Sequence, residues 1–235
     1  MGEAVRARQL LTRLRSDDRL KSLRVVSAGA TPDSTAPRTA WSLSTLSGRL
    51  TELSSSGGAP ALTLACSMVL SAQCAGEPVG WLADDESVFF PPDVAASGID
   101  LEALVVVRLP RVSQLPRAAE HLARSGAFGL LVIDLGETAY VPAPMQMRLL
   151  ALAKASKLAV LFLTRKRRDA ASLGTLVSLR AEALCTRHES AEPSADRVRE
   201  VGISTFTCRA QILKDKRCGP GWFHDEVCRG PDGLC

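Results

Sequence analysis

Short apolar runs recur through residues 48–182 with helix-length segments between them, and this alternation limits the fold more than any other feature of the chain. LVVV, LLVI and AVLFL are the kind of run found in parallel strands buried on both faces. Strands are expected over 50–53, 79–83, 104–108, 129–134, 158–163 and 176–182, and helices over 60–74, 92–97, 114–125 and 144–156. Such an order builds an α/β fold with a mostly parallel sheet covered by helices. Beyond it the pattern changes. HESAEPSAD (188–196) reads as a polar turn or loop, and 198–206 with 208–215 read as an antiparallel hairpin.

At 235 residues and 46% hydrophobic, the chain can bury one substantial core. No apolar run reaches the roughly 18 residues a membrane span needs. The N-terminus is polar and basic, without an apolar h-region, so a cytoplasmic location is expected. The seven cysteines are an odd count and are expected to be free thiols. Cys218, His224, Cys228 and Cys235 can be written as four zinc ligands, but they lack the paired knuckle of common structural sites. That segment is expected to be an irregular tail, and no metal is expected.

Charge is concentrated at one end. Residues 1–24 hold seven basic side chains (Arg6, Arg8, Arg13, Arg15, Arg19, Lys21, Arg24) against Glu3, Asp17 and Asp18. The excess of four equals the net charge of the whole chain. Leu10, Leu11 and Leu14, flanked by Val5, Leu20 and Leu23, form an apolar stripe at near-helical spacing. This basic helix either packs on its own domain or docks on a partner protein, with direct nucleic-acid binding as the third reading.

Residues 48–64, GRLTELSSSGGAPALTL, place a strand, a Ser/Gly loop and a helix start in succession. That is the setting of the phosphate-binding loop G-x-x-x-x-G-K-[ST], where backbone N–H groups and a helix N-terminus hold phosphates. Ala59 stands where the loop needs its Lys, and Pro60 where it needs the Mg²⁺-binding hydroxyl. Pro60 also removes an N–H from the first helical turn. Ser56, Gly57, Gly58, Ala59 and Pro60 thus outline a nucleotide site without its chemical groups.

The segments beyond this loop resemble the RecA recombinase ATPase core one after another. ALTLACSMVLSAQ is similar to the helix after the loop, and PVGWLADDESVFFPPDVAASGIDLEALVVV to the strand and acidic stretch beyond it. HLARSGAFGLLVIDLGE is similar to the helix and Walker B strand. AVLFLTRKR and LVSLRAE are similar to the strands flanking the second DNA-binding loop, and QILKDKRCGPGW to the hairpin near the end of the core. The similarity covers roughly residues 42–223. A degenerate, shortened RecA-like chain of this kind looks most like ImuA, the family of RecA-like accessory proteins of bacterial mutagenesis cassettes. The expected organisation is a basic amphipathic N-terminal helix (1–24), a linker (25–41), a RecA-like core with its antiparallel hairpin (42–223) and a C-terminal tail (224–235).

The resemblance assigns roles to individual residues. Asp134, at the end of LLVID, matches the Walker B carboxylate, and Asp85 or Glu86 the glutamate that activates water. Lys214 and Lys216 match paired lysines that neutralise γ-phosphate charge across a subunit interface. Arg165 stands in place of the phosphate-sensing glutamine. The plain reading is that Asp134 caps a strand end while Asp84, Asp85 and Glu86 form a solvated acidic turn. Phosphoryl transfer depends on positioning and charge neutralisation. With the loop Lys and hydroxyl both missing, no ATP hydrolysis and no cofactor are expected.

RecA proteins contact DNA through two long loops, and both are short here. Only 29 residues separate Asp134 from Thr164, and 12 separate Arg165 from Ser178. The basic run Arg165, Lys166, Arg167, Arg168 is left either as a weak phosphate contact or as a solvated rim. Resemblance to ImuA implies a protein without ATPase activity in the SOS response and translesion mutagenesis, with RecA and the polymerase-like ImuB as partners. Leu10, Leu11, Leu14, Arg13 and Arg15 are the expected partner-binding residues, and nucleoid association is expected when partners are bound. A weak nucleotide-binding NTPase-like protein and a non-specific DNA-binding regulator are the alternatives.

Overall fold

The computed structural model describes residues 40–187 and 205–229, apart from Gly58, Val88 and Thr138. The N-terminal helix, most of the linker and the 188–196 loop expected from the sequence lie outside the described residues. Within them the order is α1 (Leu43–Leu46), β1 (Arg49–Ser54), α2 (Ala59–Cys74), β2 (Val79–Asp84), α3 (Pro91–Ala96), β3 (Leu104–Leu109) and α4 (Leu115–Arg124). The chain continues through β4 (Leu130–Asp134), α5 (Ala143–Ser156), β5 (Ala159–Thr164), β6 (Leu179–Arg187), β7 (Thr205–Asp215) and β8 (Phe223–Arg229). No helix among the described residues is long and apolar enough to cross a membrane.

The eight strands form one sheet in the order β3-β2-β4-β5-β1-β6-β7-β8. The first six are parallel, and β7 and β8 continue the sheet antiparallel. This is an α/β fold consistent with a RecA-like core. Side chains alternate across each strand, so the central strands feed two cores. Leu53, Trp81, Val132, Leu161 and Leu163 lie beneath Leu64, Ala65, Met68 and Val69 of α2. Leu50, Leu82, Leu131, Ile133, Val160 and Phe162 lie beneath Leu115 and Ala119 of α4 and Leu149 and Ala153 of α5. Gly80 of β2 is required by close packing, since a Cβ there would come 2.6 Å from Leu131 Cδ2.

Two expectations about the C-terminal part are corrected. The C-terminal antiparallel hairpin is present but with other bounds: residues 205–215 are a single strand, pairing with β6 on one side and β8 on the other, and residues 198–204 lie outside the described residues. The chain reverses instead between Asp215 and Phe223, where Gly219 and Gly221 take positive φ (81° and 101°) that other residues rarely adopt. The tail expected to be irregular contributes Phe223–Arg229 as strand β8. Trp222 and Cys228 pack against the α2 core, which holds this strand down.

Candidate functional site

In a parallel sheet the carboxyl ends of the strands open onto a crevice where ligands bind. Here that edge is formed by Ser54 of β1, Thr164 of β5, Asp134 of β4 and Asp84 of β2. The Ser55 N–H donates to the Thr164 carbonyl at 3.0 Å, and the Arg165 N–H to the Gly136 carbonyl at 2.8 Å, tying the three central loops together. Asp134 is buried. Its Oδ2 accepts from Ser87 Oγ at 2.7 Å and its Oδ1 from the Gly136 N–H at 3.2 Å. Ser87 brings the turn carrying Asp85 and Glu86 against the end of β4, while Glu86 itself is exposed.

The loop after β1 uses its own amides. The Gly57 N–H donates to Ser55 Oγ at 3.3 Å and the Ala59 N–H to the Gly57 carbonyl at 2.9 Å. Pro60, in the first turn of α2, has no N–H to give. Ser56, Gly57 and Ala59 are exposed, and Gly58 lies outside the described residues. A phosphate-binding nest requires these N–H groups to converge on the anion. Here two are committed within the loop, a third is absent, and the loop supplies no cation.

The positive charge of this region is drawn to a different centre. Glu52, in the middle of β1 and fully buried, accepts from Ser172 Oγ at 2.8 Å, the Leu173 N–H at 2.9 Å and Thr164 Oγ1 at 3.3 Å. Lys166 Nζ is 3.5 Å from it and Arg180 Nε 3.9 Å. Arg180 continues outward, donating to the Ala170 carbonyl and, at 3.1 Å, to the Arg167 carbonyl. Lys214 donates to the Gly174 carbonyl at 3.4 Å and Lys216 to that of Thr175 at 2.5 Å. Burial pushes the Lys214 ammonium below its ordinary value, with Lys216 and Arg180 adding to the shift and Glu52 opposing it. Residues 165–178 are thereby clamped onto the sheet.

The site residues expected from sequence therefore divide. Ser56, Gly57, Ala59, Pro60, Asp134 and the turn of Glu86 do share one sheet edge. Lys214 and Lys216 hold the 165–178 loop by its carbonyls. Within the basic run, Lys166 is turned inward to Glu52, while Arg165 is 3.9 Å from Glu137 and Arg167 3.4 Å from Asp169. Arg168 is exposed. Leu10, Leu11, Arg13, Leu14 and Arg15 lie outside the described residues. So does Cys235 of the suggested zinc set, and no group of three metal-ligating side chains occurs among the described residues.

Sequence reasoning misses Glu52, Arg180, Ser87 and a second buried pair. Arg49 of β1 donates to Asp215 Oδ1 at 2.6 Å and to the Ser178 carbonyl at 2.9 Å, with both side chains of the pair sealed from solvent. A signal for these pairs exists in the sequence: charged residues in strands buried on both faces are costly unless paired. No protein-family model matches the chain, and no curated protein matches it.

Proposed function

We propose that this chain is a RecA-like protein without ATPase activity that binds RecA and, with the polymerase-like ImuB, limits recombinational repair in favour of translesion mutagenesis. The observation that carries this reading is a RecA-like sheet whose phosphate loop is closed on itself at Ser55, Gly57 and Ala59. Nucleotide would have no cation to meet there, and Asp134 already holds two donors. The clamped 165–178 loop supports weak DNA contact, since only Arg167 and Arg168 of the basic run are well exposed. A protomer of RecA shape that cannot bind nucleotide would join a filament and stop its growth.

The test is direct. Purified chain is mixed with RecA, association is measured by light scattering and pull-down, and RecA strand exchange is followed with this protein in excess. Association and reduced exchange are expected. Absence of both would leave the inhibitor mechanism without support, and a scaffold role with ImuB would replace it. The alternative nucleotide-binding reading draws on Asp134, which keeps the Walker B place at the end of β4. It predicts saturable ATP binding lost on Asp134→Ala.

A further inference from the structure

On the α2 side of the sheet, thiols gather across three consecutive strands. Cys185 of β6 stands directly opposite Cys208 of β7. Across the next pair Cys208 faces Glu226 and Cys228 faces Phe206, so Cys208 and Cys228 are diagonal neighbours on the same face. Cys208 is fully buried, Cys228 half-buried and Cys185 exposed. Cys228 Sγ donates to the Glu226 carbonyl at 3.7 Å, and its side chain packs against the core cluster that contains Cys208. Two neighbouring thiols on one face, one reachable from solvent and one not, are the arrangement of a reactive thiol with a resolving partner.

We propose that Cys228 and Cys208 form a peroxide-reactive dithiol, in which Cys228 is oxidised first and Cys208 resolves it to a disulfide. The Cys228 sulfur attacks one oxygen of hydrogen peroxide and the O–O bond breaks. The sulfur is oxidised to a sulfenic acid, and the second oxygen leaves as water with the thiol proton. The Cys208 sulfur then attacks the Cys228 sulfur, and its proton leaves with the hydroxyl as another water. Two thiols and one peroxide become one disulfide and two waters.

The local chemistry favours this direction. The neighbouring Cys208 thiol holds the Cys228 thiol below its ordinary value, against burial and the charge of Glu226. The nearby Cys228, together with burial, pushes Cys208 up. A diagonal pair starts at roughly 7–8 Å between Cα atoms, slightly beyond the usual disulfide range of about 4.4–6.8 Å. The excess separation lies along the strands, so closure requires β8 to slide on β7. Among the described residues β8 is the outer strand of the sheet, so it can make that movement.

Mass spectrometry of the peroxide-treated chain tests the assignment. Cys218 and Cys228 share one tryptic peptide, so a Cys218→Ser background separates them. A Cys208–Cys228 linked peptide pair is expected, reversed by dithiothreitol and formed at least tenfold faster than oxidation of the exposed Cys74. Cys208→Ser should leave a sulfenic acid on Cys228 that dimedone captures. Should that core variant fail to fold, Cys228→Ser, at a half-exposed position, must abolish the link while Cys185 and Cys208 stay reduced. Oxidation of Cys228 no faster than Cys74, or a Cys185–Cys208 link with Cys228 free, would overturn the proposal.

Discussion

Glu52 is the residue on which most of the buried charge depends. It is a carboxylate with no solvent contact, and two cations and three hydrogen-bond donors converge on it. Removing one partner of a buried ion pair costs about 3–5 kcal/mol, because the partner charges stay buried. Glu52→Ala should lower unfolding stability by that amount in urea titration, and Glu52→Gln by less, since its amide oxygen still accepts from Ser172. A loss below about 1 kcal/mol for Glu52→Ala would mean that Lys166 and Arg180 escape to solvent. Asp215 gives a pH dependence. Burial alone would raise its carboxyl, but the Arg217 N–H, Arg49 and Trp222 outweigh it, leaving it below its ordinary value of 3.8. A depressed carboxylate adds stability above its unfolded value, and this is lost as pH falls through the lower folded value. Thermal stability should therefore drop on acidification below about pH 4, and Asp215→Asn, already destabilised at neutral pH, should show a shallower acid-side fall.

At the scale of elements, the loop from β1 into α2 bears on the nucleotide chemistry proposed above. The amides of Gly57 and Ala59 are committed and Pro60 has none, which removes three of the donors a phosphate loop would offer. ATP turnover should be undetectable with or without single-stranded DNA, and nucleotide should bind no tighter than about millimolar, roughly −4 kcal/mol. Hydrolysis that disappears in Asp134→Ala would contradict this. The strands and helices of the parallel half were legible because apolar runs and helical spacing agree there, and the structure moves most of those boundaries by one residue. The antiparallel part was not. FHDEVCR carries three polar or charged residues in a row and comes after a Gly/Pro turn, so it reads as coil until β7 offers it a ladder. The loop lacking its Lys could be read directly from Ala59 and Pro60. The Glu52 clamp could not, because its partners, Lys166, Ser172 and Arg180, lie more than a hundred residues along the chain.

For the whole molecule, the decisive asymmetry is between the two ends of the sheet. β8 closes one end with His224, Asp225 and Glu226 along its length, and Arg209 pairs with Asp225 and lies over the Phe223 ring. Charge of this kind protects an edge from further strand pairing. Among the described residues β3 closes the other end as LVVVRL and pairs with β2 alone, with Val105 45% and Val106 40% exposed. Its one charged side chain, Arg108, is turned back to the Phe89 carbonyl at 2.8 Å. Such an apolar edge is a template for an added strand, and we propose it as the place where RecA would dock. Substituting Val105 and Val106 together with Lys should leave melting nearly unchanged, since exposed positions shift stability by about 0.5 kcal/mol or less, yet should remove RecA association. The matching change of Phe223 and Val227 to Lys at the other end should leave association intact. A folded β3 variant that still binds RecA moves the contact elsewhere. Deleting residues 1–24, or changing Leu10, Leu11 and Leu14 to Asp, then decides whether this chain offers its N-terminal segment to RecA instead of accepting a strand from it.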